Sequence, residues 1–308
     1  MMWRRLCGCY SSSSSSISSH YNNIYKNVND LCFIVTLVSI PDNDCQDIKT
    51  FLNNNNISKG TNINDSDRKK VFQELSKFKN LKYCLVILEP NTNNKESARE
   101  IREKQLGEFD KVKSKTKNLE DQYNHLKKLK DSEFMKWRIF HQSIEFFYSS
   151  FFKDYSYFAI NNDSWNFSFI IDTQNKPFMF TELLKFFLTN SGREKSIECP
   201  LSWDDKHPFI KNHIINQRDR IVINTESLFN DIECKKEEEE ILLNIPDIIG
   251  NTFYRIFYEE QYCWIEYVKL LDRNRIAYLV DEKTFFINAI TVNGQSDGLK
   301  FIHNKLME

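Results

Sequence analysis

Short apolar segments alternate along this chain with segments of helical periodicity, and that alternation constrains the fold most. Three of the apolar segments, at residues 31–40, 81–90 and 166–172, are rich in β-branched and aromatic residues and indicate buried strands. The intervening segment "DSDRKKVFQELSKF" places Val71, Phe72, Leu75 and Phe78 on one helical face. We therefore predict an α/β fold in which helices flank a mixed sheet.

Composition places the chain among large globular proteins. The 308 residues are 41% hydrophobic and 14% aromatic, which is enough to bury a sizeable core. The formal net charge of −1 gives no global field towards nucleic acid or an anionic membrane, so such contacts would need a local patch. The seven glycines form neither GxGxxG nor a Walker A loop.

Cysteine usage and hydropathy bear on the compartment. The eight cysteines show no zinc-finger spacing, which favours reduced thiols in an intracellular protein, cytoplasmic or nuclear. No apolar run reaches the roughly 18 residues that a transmembrane helix needs, so we expect no membrane span.

We expect two parts along the chain. Residues 1–29 contain a serine tract and no acid, and we predict a disordered, low-complexity tail there. The bases Arg4, Arg5 and Lys26 also fit a mitochondrial transit peptide, which stays an alternative. Residues 30–308 then form a single domain.

A long charged segment, about residues 95–136, interrupts that domain. Val112, Leu119 and Leu126 have heptad spacing, which indicates a helix or helical hairpin. Between Lys111 and Lys130 there are seven lysines and two acids. This lysine-rich segment could contact nucleic acid, or it could be a solvated helix face.

Asp172 ends the apolar segment "NFSFIID". An ionised carboxylate beside a buried strand needs a partner, a hydrogen bond or a metal ion, and open α/β sheets place ligands at the carboxyl ends of strands. Alternatively, Asp172 caps the turn "DTQNKP" through its own backbone.

Asp247 lies in "NIPDIIGNTFYRIF", where Pro246 suits the first turn of a helix. Helical spacing groups Asp247 with Gly250, Asn251 and Tyr254, and a glycine beside an acid would let a ligand approach. The alternative is stabilisation of the helix dipole by the acid, worth roughly 0.3–1 kcal/mol. Two acids on neighbouring elements would suit Mg²⁺ or Mn²⁺, which prefer oxygen ligands and assist phosphoryl chemistry.

The segments "LCFIVTLVSI", "DRKKVFQELSKF", "LKYCLVILEP", "FSFIID" and "NIPDIIGNTFYRIF" follow one another in an order that resembles the DUF3800 family of the RNase H-like clan. The resemblance covers about residues 30–260. In it, Asp172 matches the acid of an "iiD" strand end, and Asp247 matches the acid of a late helix with Gly250 near the family glycine. Asn244 and Pro246 replace the family Gln and Ala.

This resemblance implies an RNase H-like sheet and a divalent-metal-dependent nuclease or phosphodiester hydrolase, with Asp172 and Asp247 as catalytic metal ligands. The family's opening "DESG"-like motif is absent, because the corresponding region "LCGCYSSSSSSISSHYNN" has no carboxylate. Asp30, Glu226 or Asp231 could supply a third ligand. The alternative is a non-catalytic interaction or nucleic-acid-binding protein of the same fold.

Overall fold

The computed structural model of the chain describes fourteen stretches. These are residues 2–10, 31–57, 60, 62–91, 94–111, 117–130, 134, 166–172, 214–217, 220–223, 232–235, 239–258, 261–271 and 275–281.

Eight strands lie within these stretches. They are β1 (Met2–Tyr10), β2 (Leu31–Pro41), β3 (Lys82–Asn91), β4 (Asn166–Asp172), β5 (Ile214–Gln217), β6 (Arg220–Ile223), β7 (Ile232–Lys235) and β8 (Arg275–Asp281).

Six α-helices accompany them, together with two 3₁₀ turns at Ile241–Leu243 and Tyr262–Trp264. The helices are α1 (Asp42–Asn54), α2 (Asp65–Leu75), α3 (Asn94–Asp110), α4 (Lys117–Lys128), α5 (Asn244–Tyr258) and α6 (Ile265–Leu270). Mixed α/β architecture is therefore confirmed.

Six of the strands form one mixed sheet in the order β7-β4-β1-β2-β3-β8. Strand β2 is antiparallel to both of its neighbours, whereas the β1–β4, β4–β7 and β3–β8 pairs are parallel. Strand β4 is paired on both edges, as its unbroken apolar sequence predicts. Strands β5 and β6 form a separate antiparallel hairpin.

The expectation of a disordered tail is wrong for Met2–Tyr10, which form β1 between β2 and β4. Arg4 and Arg5 weaken the local strand pattern. The neighbouring apolar strands β2 and β4 nevertheless supply hydrogen-bonding partners for the β1 backbone on both sides. The rest of the expected tail, residues 11–29, lies outside the described residues.

Among the described residues, a hydrophobic core cluster lies on one face of the sheet. Val38 and Ile40 on β2, and Tyr83 and Leu85 on β3, are buried in a single cluster with apolar side chains of α1, α2, α5 and α6. Helix α5 packs directly on β1 and β2. The predicted face of α2 is confirmed for Val71, Phe72 and Leu75, which are fully buried there.

The charged segment forms helices α3 and α4, which pack against each other. Arg102 of α3 donates a 2.5 Å hydrogen bond to the carbonyl oxygen of Leu129, just beyond the end of α4. Leu126 is fully buried, as its heptad position predicts. None of the described helices combines the length and apolar character needed to cross a bilayer.

Candidate functional site

Asp247 occupies the first turn of α5, one residue after Pro246. Its side chain is partly buried, and Oδ2 accepts a 2.6 Å hydrogen bond from the backbone N–H of Gly60. The Gly60 residue lies in the connection between α1 and α2. The carboxylate therefore fixes a distant loop onto the start of α5.

Gly60 approaches the α5 backbone so closely that a side chain would not fit. A Cβ atom built at Gly60 would lie 2.7 Å from the carbonyl oxygen of Asp247 and 2.9 Å from Cα of Ile248. Both atoms belong to a helix backbone that cannot easily move. Glycine is thus needed here for close approach of two backbones.

Arg68 of α2 holds the same loop from the other side. Its side chain is fully buried, and Nη2 donates to the carbonyl oxygen of Gly60 at 2.8 Å and to Oδ1 of Asn251 at 3.0 Å. Nη1 donates to Oγ1 of Thr252 at 2.6 Å. Arg68 therefore ties α2 and the loop to the middle of α5.

Trp264 closes this cluster. The Arg68 guanidinium carbon lies 4.2 Å from the centre of the Trp264 ring, and that of Arg255 lies 5.2 Å from it. Burial, together with the neighbouring Arg255 charge, lowers the pKa of Arg68 to about 10. Arg68 remains a cation at neutral pH and interacts with the face of the indole ring.

Two further contacts fasten the segment that leads into α5. Nδ2 of Asn244 donates to the carbonyl oxygen of Ile57 at 3.2 Å. The Glu240 side chain is only 4% exposed and forms an ion pair with Lys49 of α1, with an N–O distance of 2.8 Å. The polar residues at this end of α5 thus connect elements of the fold.

The predicted ligand-facing side of α5 is not open to solvent. Gly250 is buried, Asn251 is fully buried and Tyr254 is 5% exposed. The loop around Gly60 and the Arg68 side chain occupy the space next to Asn251. Of the four residues in this group, Asp247 alone keeps a partly exposed side chain.

Asp172 is the last residue of β4, where the sequence predicts it. On β7 its registered neighbour is Lys235. On β1 the last registered pair joins Ile171 to Cys7, so the next position opposite Asp172 is Gly8. The β1 sequence "MWRRLCGCY" offers no carboxylate.

The register continues across the sheet from Gly8 on β1 to β2, where Gly8 pairs with Thr36. Thr36 is buried. It lies two and four positions before Val38 and Ile40 on β2, so it is on the same face as these two residues of the core beneath α5. Registered neighbours share a face of a sheet, so Gly8 and Thr36 are neighbours on the face that α5 covers.

The connection between the end of β7 and α5 is short. Strand β7 ends at Lys235, beside Asp172, and only residues 236–240 separate it from the 3₁₀ turn that leads into α5. Five extended residues span at most about 18 Å. The 3₁₀ turn also packs against β1 and β4.

Among the described residues, the positions next to these two acids do not supply the further carboxylates of a two-metal centre. Such a centre needs several carboxylates that converge on the ions. Lys235 on β7 is the registered neighbour of Asp172, Gly8 is the next position on β1, and Oδ2 of Asp247 already binds Gly60. Within the described residues, no three His, Cys, Asp or Glu side chains form a group able to hold a metal ion.

Comparison of the chain with known protein families, with curated proteins and with solved structures finds no match.

Sequence reasoning missed Gly60, Arg68 and Trp264. A signal for Arg68 exists, because residues 68, 71, 72 and 75 follow helical spacing and the last three were assigned to the core. An arginine on an apolar helix face predicts a buried, satisfied cation. The contact between Gly60 and Asp247 spans 187 positions in the chain and leaves no local pattern.

Proposed function

We propose that this protein is a non-catalytic, nucleic-acid-binding protein built on an RNase H-like sheet. The observation that carries the proposal is the set of residues around Asp172 and Asp247. Asp172 has Lys235 as its registered neighbour on β7 and Gly8 as the next position on β1, and Asp247 accepts a hydrogen bond from the backbone of Gly60. A metal-dependent nuclease of this architecture would need acids at these positions.

The order of the elements supports the RNase H-like part of the proposal. An opening strand, β1, pairs with an apolar second strand, β2. A helical region and β3 come next, followed by the long helical segment α3–α4. Strand β4 then ends on Asp172, and the late helix α5 carries Asp247 in its first turn. This is the succession that the resemblance to the DUF3800 family implies.

The register also offers a location for the missing opening acid. Strand β1 lies beside β4, and the sequence opposite the end of β4 reads Cys7-Gly8-Cys9. Cysteine and glycine provide none of the hard oxygen ligands that Mg²⁺ or Mn²⁺ prefers. The position is thus occupied by residues unsuited to that chemistry.

The exposed lysines at the end of α4 support nucleic acid as the partner. Lys127 and Lys128 in the last turn of α4, and Lys130 just beyond it, are all exposed. The acids Glu120 and Asp121 lie towards the other end of the helix. Three lysines close together, without an acid among them, can contact successive phosphates of a nucleic acid strand.

Fluorescence anisotropy with labelled single-stranded and duplex DNA and RNA tests this proposal. We expect measurable binding that weakens as salt rises, and a smaller salt dependence in the triple variant Lys127→Ala, Lys128→Ala, Lys130→Ala. Loss of three phosphate contacts reduces the slope of log K against log salt by about 2–3.

A matched control carries the same change of charge on α2 and the loop after it. Lys69, Lys70 and Lys79 are exposed, and their replacement by alanine should leave the salt dependence almost unchanged. Equal loss of binding in both triple variants would indicate a general charge effect and would contradict a specific surface on α4.

A second candidate function is the metal-dependent nuclease, favoured by the short connection, residues 236–240, between the end of β7 beside Asp172 and the 3₁₀ turn that leads into α5 and Asp247. A saturable rise in Tm with Mn²⁺, lost in Asp172→Asn and in Asp247→Asn, would support it over the non-catalytic proposal. A change in Tm that is equal in the wild type and in both variants would not support the nuclease.

A further inference from the structure

Tyr123 lies on α4, one helical turn before the lysines of the proposed nucleic-acid-binding surface. Its side chain is partly exposed, and Lys127 follows it by four positions, the spacing at which side chains of a helix are neighbours. Nζ of Lys127 lies 6.0 Å from the centre of the Tyr123 ring. An aromatic ring and an ammonium group are therefore adjacent at the edge of this surface.

The sign of the exposed charges on α4 changes at Tyr123. The exposed acids Glu120 and Asp121 lie just before it, and the exposed cations Lys127 and Lys128 follow it. A polyanion is attracted to the second group and repelled by the first. We therefore expect a bound strand on the C-terminal side of Tyr123, with the ring at its margin.

The end of α4 that carries these lysines is held on α3. Nη1 of Arg102 donates to the carbonyl oxygen of Leu129, and Leu126 is fully buried. The Arg102 cation also lies at the negative end of the α4 dipole, which would otherwise repel a phosphate group. Tyr123 and the lysines thus belong to a helix whose end is fixed by tertiary contacts.

We propose that this surface binds single-stranded nucleic acid, with one base stacked on the Tyr123 ring and phosphates bound to the lysines that follow it. The inference rests on the proposed function and specifies the form of nucleic acid. Aromatic side chains beside a basic surface stack unpaired bases of any sequence. In a duplex the bases stack on one another, so a side chain of α4 could reach only phosphates, sugars and base edges.

Fluorescence anisotropy with one labelled strand, alone and annealed to its complement, as DNA and as RNA, tests this preference. We expect the single strand to bind more tightly than the duplex at the same salt concentration. Tyr123→Leu should weaken single-strand binding roughly 5- to 150-fold, the effect of losing one stacked base, and should leave duplex binding unchanged. The slope of log K against log salt should also stay unchanged, because no phosphate contact is lost. Tyr123→Phe should keep the affinity, because the ring remains.

Tyr262→Leu is the matched control. Tyr262 is 40% exposed in the 3₁₀ turn before α6, and its replacement should leave single-strand binding unchanged. In the wild-type protein, a single strand that carries 5-iodouracil should crosslink to Tyr123 on irradiation, as located by mass spectrometry. This measurement needs no variant to fold.

The outcomes separate this inference from the function on which it rests. If none of the nucleic acids binds, the proposed function and the inference both fail. If nucleic acid binds but single strand and duplex have equal affinity, or Tyr123→Leu loses no affinity for the single strand, this inference alone is overturned.

Discussion

The carboxylate of Asp247 accepts a 2.6 Å hydrogen bond from the backbone N–H of Gly60, although the two residues are 187 positions apart in the chain. Asp247 is the one of the two predicted metal ligands whose side-chain contact the structure describes. That contact joins the loop between α1 and α2 to the first turn of α5. The acid therefore has a structural role whether or not it has any other.

Gly60→Ala should destabilise the protein by about 1–3 kcal/mol, because a methyl group would meet the α5 backbone at less than van der Waals distance. Separation of the loop from α5 would also weaken the hydrogen bonds to Asp247 and Arg68. Urea unfolding followed by tryptophan fluorescence measures the change.

Gly107→Ala is the control for that substitution. Gly107 lies in α3, and a Cβ atom built there meets no atom within 4 Å. Alanine in an exposed helix should stabilise by about 0.5–1 kcal/mol relative to glycine. Equal effects of the two substitutions would contradict the close approach of Gly60 to α5.

Arg68→Lys should cost at least about 2 kcal/mol, although the charge is kept. A lysine ammonium cannot reproduce the planar fork that serves Gly60, Asn251 and Thr252, nor its stacking on Trp264. Arg99→Lys, on an exposed position of α3, should change stability by less than about 0.5 kcal/mol. Chemical unfolding of both variants provides the comparison, and a neutral Arg68→Lys would refute the role of the fork.

Lys49→Met should destabilise the protein by about 2 kcal/mol, less than the roughly 3–5 kcal/mol found when a fully buried ion pair is broken, because the Lys49 side chain is 26% exposed. The Glu240 carboxylate, 4% exposed, would lose its ion pair with Lys49. Lys77 forms an exposed pair with Glu74 within α2 and the turn after it, and Lys77→Met should cost less than about 1 kcal/mol. The difference between the two Tm values measures the effect of burial.

Apolar segments and helical periodicity predicted the strands β2, β3 and β4 and the helices α2 and α5, because each carries its apolar pattern within its own sequence. The local pattern did not predict β1, because Arg4 and Arg5 interrupt its apolar sequence. This strand depends on pairing with β2 and β4. Partners for pairing are non-local, so no window around Met2–Tyr10 contains the signal.

At the candidate site, too, local sequence pattern predicted some features, and others depend on tertiary contacts. The location of Asp172 at a strand end and of Asp247 in a first helical turn followed from local pattern. Their surroundings did not, because Lys235, Gly8 and Gly60 reach them through sheet register and loop packing. The chemistry of the pair therefore depends on tertiary contacts that no motif of the sequence describes.

Calorimetric titration of the full-length protein with Mn²⁺ tests the central claim most directly. The account holds that Asp172 has Lys235 and Gly8 beside it instead of further acids, and that Asp247 binds the Gly60 backbone. Titration should therefore show no saturable binding of Mn²⁺, and Asp172→Asn should give the same heats as the wild type. Saturable binding of Mn²⁺ that both Asp172→Asn and Asp247→Asn abolish, with cleavage of a nucleic acid substrate, would contradict the account.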